Sequence, residues 1–404
     1  MSVCRPFFRL RRNVCSSSIL KAKRSTKTTT LPIPHETFRG EETDLEAGTF
    51  HFNVEWSSFT DKRLPRRLRQ TPNVKFLILG SNLFNFAAAG WDELPTELQT
   101  ALRYIIRLPT LERLDILNFK NIPPSLFSAA SFSRLSIHHT KFRKSKPNER
   151  KNTPSNIVTR LKSFDFNLIP LSSIRALVRD RISTDSLAVD FSSLYSLSVS
   201  LRNAEKVAAS KEVMKVSPNL KFLDCRVGRK ISLGEVSSSL AACHSLKTLV
   251  LLFQIENELQ DPLFGLPDAL SEMSGDNVLE ELLINAHVQS HNSCRTDAMW
   301  GRLDGVLSRS AFHALRRVSL KIILWVNDMC SNDQLEKFQV GERHRRVLKE
   351  KLDKIGATQF SWLSKARNVK FEFSVRIISH GQRDTDPEIR RYLQSDVLCN
   401  MYSQ

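Results

Sequence analysis

A chain of 404 residues with 60 Lys and Arg against 42 Asp and Glu, a net charge of +18 and 41% hydrophobic residues can bury an extensive core, which excludes a chain disordered by composition. Its longest apolar run, Leu249 to Phe253, is far short of the roughly 20 residues of a membrane-spanning helix. Seven scattered cysteines without a Cys-x-x-Cys pair, and no Asn-x-Ser/Thr sequon, point to a reduced cytoplasmic or nuclear protein without disulfides. The positive charge favours anionic partners, yet no aromatic residues interleave the basic runs at 62–69, 141–146 and 343–346 as stacking on bases would require. Those runs therefore read as solvated surface with a nuclear-import stretch at 141–151, and nucleic acid and membrane are not the expected partners.

Residues 1–35 hold eight basic residues and no acidic one, a composition that also fits a mitochondrial transit peptide. Residues 1–48 form a basic N-terminal segment whose end, from 36, is a polar linker. The body runs from 49 to 380. His51 to Trp56 alternates like a strand, and Leu64 to Gln70 predicts a short basic helix.

From residue 74 a motif, apolar-x-x-apolar-x-apolar, recurs about ten times. It starts with Val74-Lys-Phe-Leu77-Ile-Leu79, Leu111-Glu-Arg-Leu114-Asp-Ile116, Phe132-Ser-Arg-Leu135-Ser-Ile137 and Leu161-Lys-Ser-Phe164-Asp-Phe166. Further copies follow Leu194, Leu220, Leu246, Leu279 and Leu315, and a blurred one spans Asn368 to Phe373. Each copy is a short strand sending alternate side chains into a core, and one such strand cannot bury its apolar face without stacked neighbours. Between strands, 94–108, 205–216, 235–243, 261–272 and 297–307 carry helical apolar stripes, ended by Pro109, Pro218 and the Gly275 region. The fold class is therefore α/β: a leucine-rich-repeat-like solenoid of short parallel strands alternating with helices. The longest gap between strands predicts a helical insertion at about 330–366, a charged solvated helix from 332 to about 354 that continues towards 366. Residues 381–404 form a C-terminal helical tail.

The first repeat continues to Asn82, and Val74-x-x-Leu77-x-Leu79-x-x-Asn82 matches the leucine-rich-repeat pattern. The equivalent later places are Phe119, Thr140, Ile169, Arg202, Gly228, Gln254, His287 and Ile323, so an asparagine ladder is absent. Val3-Cys4-Arg5-Pro6-Phe7-Phe8, Arg11-Arg12-Asn13 and Ser17-Ser18-Ile19-Leu20, with Trp91-Asp92-Glu93-Leu94 and Leu108-Pro109-Thr110-Leu111, resemble fungal F-box proteins with degenerate leucine-rich-like repeats. The resemblance spans nearly the whole chain, which begins where the F-box module of that family ends. It implies the substrate-binding part of a ubiquitin-ligase receptor, with a protein target and, where the F-box is complete, a Skp-type adaptor and a cullin as partners.

No phosphate-cradling loop and no nucleophile elbow is present, and no enzyme is expected. His287-x-x-x-His291-x-x-Cys294 has three possible metal ligands but no fourth nearby, so neither metal nor cofactor is expected. Side-chain alternation instead nominates a binding surface on the strand face away from the core. Its residues are Phe76, Ile78, Arg113, Asp115, Arg134, His138, Asp165, Asn167, Asp224, Arg226, Val250, Leu252, Glu281, Asn285, Arg317 and Lys321.

Overall fold

A computed structural model describes residues 50–55, 59–80, 88–143, 158–179, 189–228, 231, 233–255, 263, 265–273, 277–290, 299–309, 312–326, 346–347, 349–350 and 352–379. The N-terminal motif fragments, the C-terminal tail, Asn82, His291 and Cys294 lie outside the described residues.

Eleven strands join one sheet in chain order, and every neighbouring pair is parallel. They are β1 (Phe50–Glu55), β2 (Val74–Gly80), β4 (Arg113–Leu117), β6 (Arg134–His138), β8 (Ser163–Asn167) and β10 (Ser196–Leu201), then β11 (Phe222–Val227), β12 (Thr248–Ile255), β13 (Glu281–Ser290), β14 (Arg317–Val326) and β15 (Lys370–Ser379). Four two-residue strands make two small side ladders: β3 (Ala89–Gly90) with β5 (Phe119–Lys120), and β7 (Thr159–Arg160) with β9 (Val189–Asp190). The recurring motif thus forms one mixed α/β structure around a large parallel sheet.

A strictly sequential parallel sheet needs a crossover after every strand, and right-handed crossovers all fall on one side. The helices Leu64–Arg69, Thr96–Ile106, Leu171–Arg179, Ala204–Lys215, Ser237–Ala241, Leu266–Glu272 and Met299–Leu307 supply that layer. Along the chain, most successive helices touch one another. The fourth and sixth motif positions, among them Leu77, Leu114, Ile116, Leu135, Ile137, Leu197, Leu223, Leu249, Leu282 and Ile284, are sealed beneath them.

Register is set where each strand begins. The carbonyl of Glu112 accepts the N–H groups of both Ser133 and Arg134; Ser133 O accepts Lys162 and Ser163, and Lys162 O accepts Tyr195 and Ser196. The same shared acceptor recurs at Tyr195, Lys221, Lys247 and Glu280. Where the strands end, Asn118, His139 and Leu168 step into the left-handed region at φ 57°, 51° and 56°. Asn118 N–H then bonds His138 O and His139 N–H bonds Asn167 O, so backbone does the stitching that an asparagine ladder would do.

One helix was not foreseen, and one expectation is corrected in part. Helix Leu171–Arg179 had no counterpart in the sequence reading. The charged insertion is helical at 346–347, 349–350 and 352–359, stops at Gln359, and turns through 361–365. It is not wholly solvated: Leu352 and Phe360 are fully buried and Gly356 sits against the Phe373 ring. An aromatic cluster of Trp300, Phe360, Phe371 and Phe373 joins this segment to β15 and the preceding helix.

The buried Asp304 carboxylate holds that join by accepting the Trp362 and Leu363 N–H groups at 2.9 and 3.0 Å. Asp304→Ala leaves both donors without this acceptor and should cost about 2 kcal/mol. Equilibrium denaturation followed by tryptophan fluorescence checks this, and an unchanged midpoint would show that the turn is held by packing alone.

Candidate functional site

The face away from the helices carries the nominated residues in three rows, because parallel pairing puts equivalent motif positions side by side. The third-position row runs Phe76, Arg113, Arg134, Ser163, Ser196, Phe222, Thr248, Glu281, Arg317, Lys370. The fifth-position row runs Ile78, Asp115, Ser136, Asp165, Ser198, Asp224, Val250, Leu283, Ser319, Glu372. In the seventh-position row, Leu117, His138 and Asn167 are neighbours on β4–β8, and Ser200, Arg226, Leu252, Asn285 and Lys321 on β10–β14. All sixteen nominated residues are therefore on one face.

They are not equally available. Asp115 and Asn167 are only 8% exposed, which corrects their assignment to an accessible surface. The cause is local: the Arg113 guanidinium folds over Asp115, with Nε and Nη2 donating to its carboxylate at 2.9 and 2.8 Å. Arg113 also lies 4.7 Å from the Phe76 ring centroid, a stacked geometry that holds it in place. Arg317 donates to Glu372 at 3.0 Å, and Lys370 reaches the same carboxylate. Those two hydrogen bonds draw the Glu372 carboxyl down to about 2.

The middle of the face is polar and half-buried. Burial raises the Asp115 carboxyl against the pull of Arg113, and raises Asp224 against Arg226. Burial likewise lowers the His138 imidazole, opposed by Asp165 and Asp115. The register sets Asp115, Asp165 and Asp224, from separate repeats, two strands apart in one row, with Ser136 and Ser198 between them.

Ser136, His138 and Asp165 are the residue types of a hydrolytic triad, and their geometry is different. Ser136 Oγ lies 2.8 Å from His138 Nε2, and Asp165 Oδ2 approaches that same nitrogen at 3.7 Å. A proton relay needs the hydroxyl and the carboxylate on opposite ring nitrogens. This cluster therefore lacks the relay geometry of a triad.

Beside it a pocket of 810 Å³ opens across β4, β6, β8 and β10, with Arg113, Arg134, Lys162, Asp165 and Tyr195 around it and six serines between them. Further along, Phe222, Val250, Leu252 and Leu283 are half-buried and adjacent, an apolar stretch on β11–β13. The pocket was missed in the sequence; serine at alternate strand positions, as in Ser196, Ser198 and Ser200, was the available sign of room above the sheet. Among the described residues, no group of three His, Cys, Asp or Glu side chains could hold a metal. His287 is buried on β13 as a neutral imidazole, pushed down to about 3 by burial. Cys225 and Cys243 are buried free thiols raised by burial, Cys243 to about 11, which keeps them protonated and unreactive.

Fold and face together define a mixed α/β protein with one side of a long parallel sheet carrying mixed charge and an apolar stretch. No protein-family model matches the chain, and no curated protein is significantly similar to it. Among the described residues, no helix is long and apolar enough to cross a membrane.

Proposed function

We propose that this chain is a leucine-rich-repeat-like solenoid that recognises a protein without catalysing a reaction, and that it is the substrate-binding part of an F-box-type ubiquitin-ligase receptor. The supporting observation is the continuous outward face, in which cations, carboxylates, serines and apolar side chains alternate across successive strands. Protein interfaces have that mixed character, with an apolar centre and a polar rim. Nucleic-acid binding draws its affinity from many unpaired cations facing phosphates. Here Arg113 and Arg317 are each paired with a carboxylate of the same face. The receptor assignment itself rests on the resemblance in the repeats and at the N-terminus.

The test is purification of the tagged protein from its own cells. A target should co-purify that is lost when the face is altered by Arg134→Glu and Val250→Glu, and, where the natural product carries a complete F-box, a Skp-type adaptor and a cullin with it. Circular dichroism checks that the double variant folds. Retention of every partner by a folded double variant, or retention of nucleic acid that falls steeply with salt, would overturn the reading. Charge reversal at Arg113 is a poor probe, because it would set a glutamate against Asp115 and disturb the sheet.

A further inference from the structure

We propose that the pocket across β4–β10 receives a carboxylate side chain of an acidic, extended polypeptide, seated between Arg134 and Lys162. This rests on the outward face being a polypeptide-binding surface, and it says which chemistry that surface selects.

The pocket holds three cations in different states. The Arg113 guanidinium is committed to Asp115 and to the Phe76 ring. Arg134 and Lys162, both exposed, have no ion-pair partner among the described residues. Arg134 is the first residue of β6, and Lys162 immediately precedes β8, the neighbouring strand. Adjacent strands lie about 4.8 Å apart, so both cationic heads can reach one carboxylate. The hydroxyls of Ser133, Ser163 and Ser196 stand at the same rim as neutral donors.

Charge count decides between a carboxylate and a phosphate. With Arg113 neutralised by Asp115, the pocket carries Arg134 and Lys162 against Asp165, a net single positive charge. A monoanion balances it. A phosphorylated side chain, close to a dianion at neutral pH, leaves excess negative charge beside Asp165 in a partly desolvated recess. Asp165, one row further along the strand and 3.7 Å from the His138 ring nitrogen, in turn accepts N–H donors from the peptide backbone. Tyr195, 51% exposed at the wall, already carries the Lys221 ammonium 5.5 Å from its ring centroid, so an extended chain lies along what remains of its exposed surface.

The experiment uses the full chain and fluorescein-labelled twelve-residue peptides of one scrambled sequence bearing glutamate, glutamine or phosphoserine at the same positions. Anisotropy at ~50 mM salt keeps surface electrostatics visible. The glutamate peptide should bind at least about tenfold tighter than the other two. Arg134→Gln with Lys162→Gln should remove about that factor, while Lys75→Gln, at a solvent-exposed cation paired with Glu112, changes nothing. No binding of the glutamate peptide, equal binding by the double variant, or a clear preference for phosphoserine each overturns the proposal. If the double variant still retains the natural target while Val250→Glu releases it, the pocket assignment fails and the recognition surface stands. If neither change affects natural partners, the recognition surface fails as well.

Discussion

Phe164→Ala is expected to lower the stability of the protein by about 4 kcal/mol, the largest effect among the single substitutions considered. Phe164 is sealed beneath β8, and its ring meets Phe166 at 5.1 Å and Phe191 at 5.4 Å between centroids. Alanine removes the burial of a whole ring and leaves a cavity. The neighbouring strands cannot collapse into it, because β8 is hydrogen-bonded on both sides, to β6 and to β10. Urea titration measures the loss. Phe164→Leu, which refills most of the volume, should recover more than half of it. A small loss for alanine would mean that the core beneath β8 is loosely packed.

The second large effect is on the acid limb of stability. His287 is buried with its imidazole pushed down to about 3, against an ordinary value of 6.5. Below pH 6.5 the unfolded chain takes up a proton at this residue and the folded chain does not. Stability therefore falls as pH falls, by about 1.4 kcal/mol per unit, until the folded-state value near 3 is reached. Between pH 6.5 and 4 the loss is about 3 kcal/mol. Asp115 and Asp224 act in the opposite sense, since burial raises both and protonation relieves them. The difference between the wild-type protein and His287→Gln isolates the histidine contribution: the variant should lose much of the slope between pH 6.5 and 4. Identical slopes would show that the imidazole can charge in place.

How far the sequence carried depends on how local the cause is. The apolar-x-x-apolar-x-apolar motif located strands because alternation is a property of a few consecutive residues; Leu246-Lys-Thr-Leu249 leads directly into β12. It located the outward face for the same reason. Depth on that face was not legible, because alternation gives direction and not burial. Asp115 is hidden by Arg113 folding back from two residues away, and Asn167 is closely packed on the same crowded face. The Arg317–Glu372 pair spans 55 residues, and the Asp304 contacts span 58 and 59. Nothing local marks such partners. Helix Leu171–Arg179 escaped because it is short and follows Pro170, with Ile174, Leu177 and Val178 as its buried stripe.

The shared carbonyls at the strand entrances also say where the chain can change length. Between Leu114 and Leu135 a repeat takes 21 residues, and between Leu77 and Leu114 it takes 37. The difference is absorbed after the strand, in the crossover. At the entrance, one acceptor serves two consecutive N–H groups, from Glu112 through Glu280. A single residue added there would turn every following side chain of that strand over, placing core leucines in water and surface charges beneath the helices. Length variants of this protein should therefore be tolerated on the helical side and lost at the entrances. A loop or tag grafted into a crossover would leave the outward rows in alignment, and so would a whole added repeat.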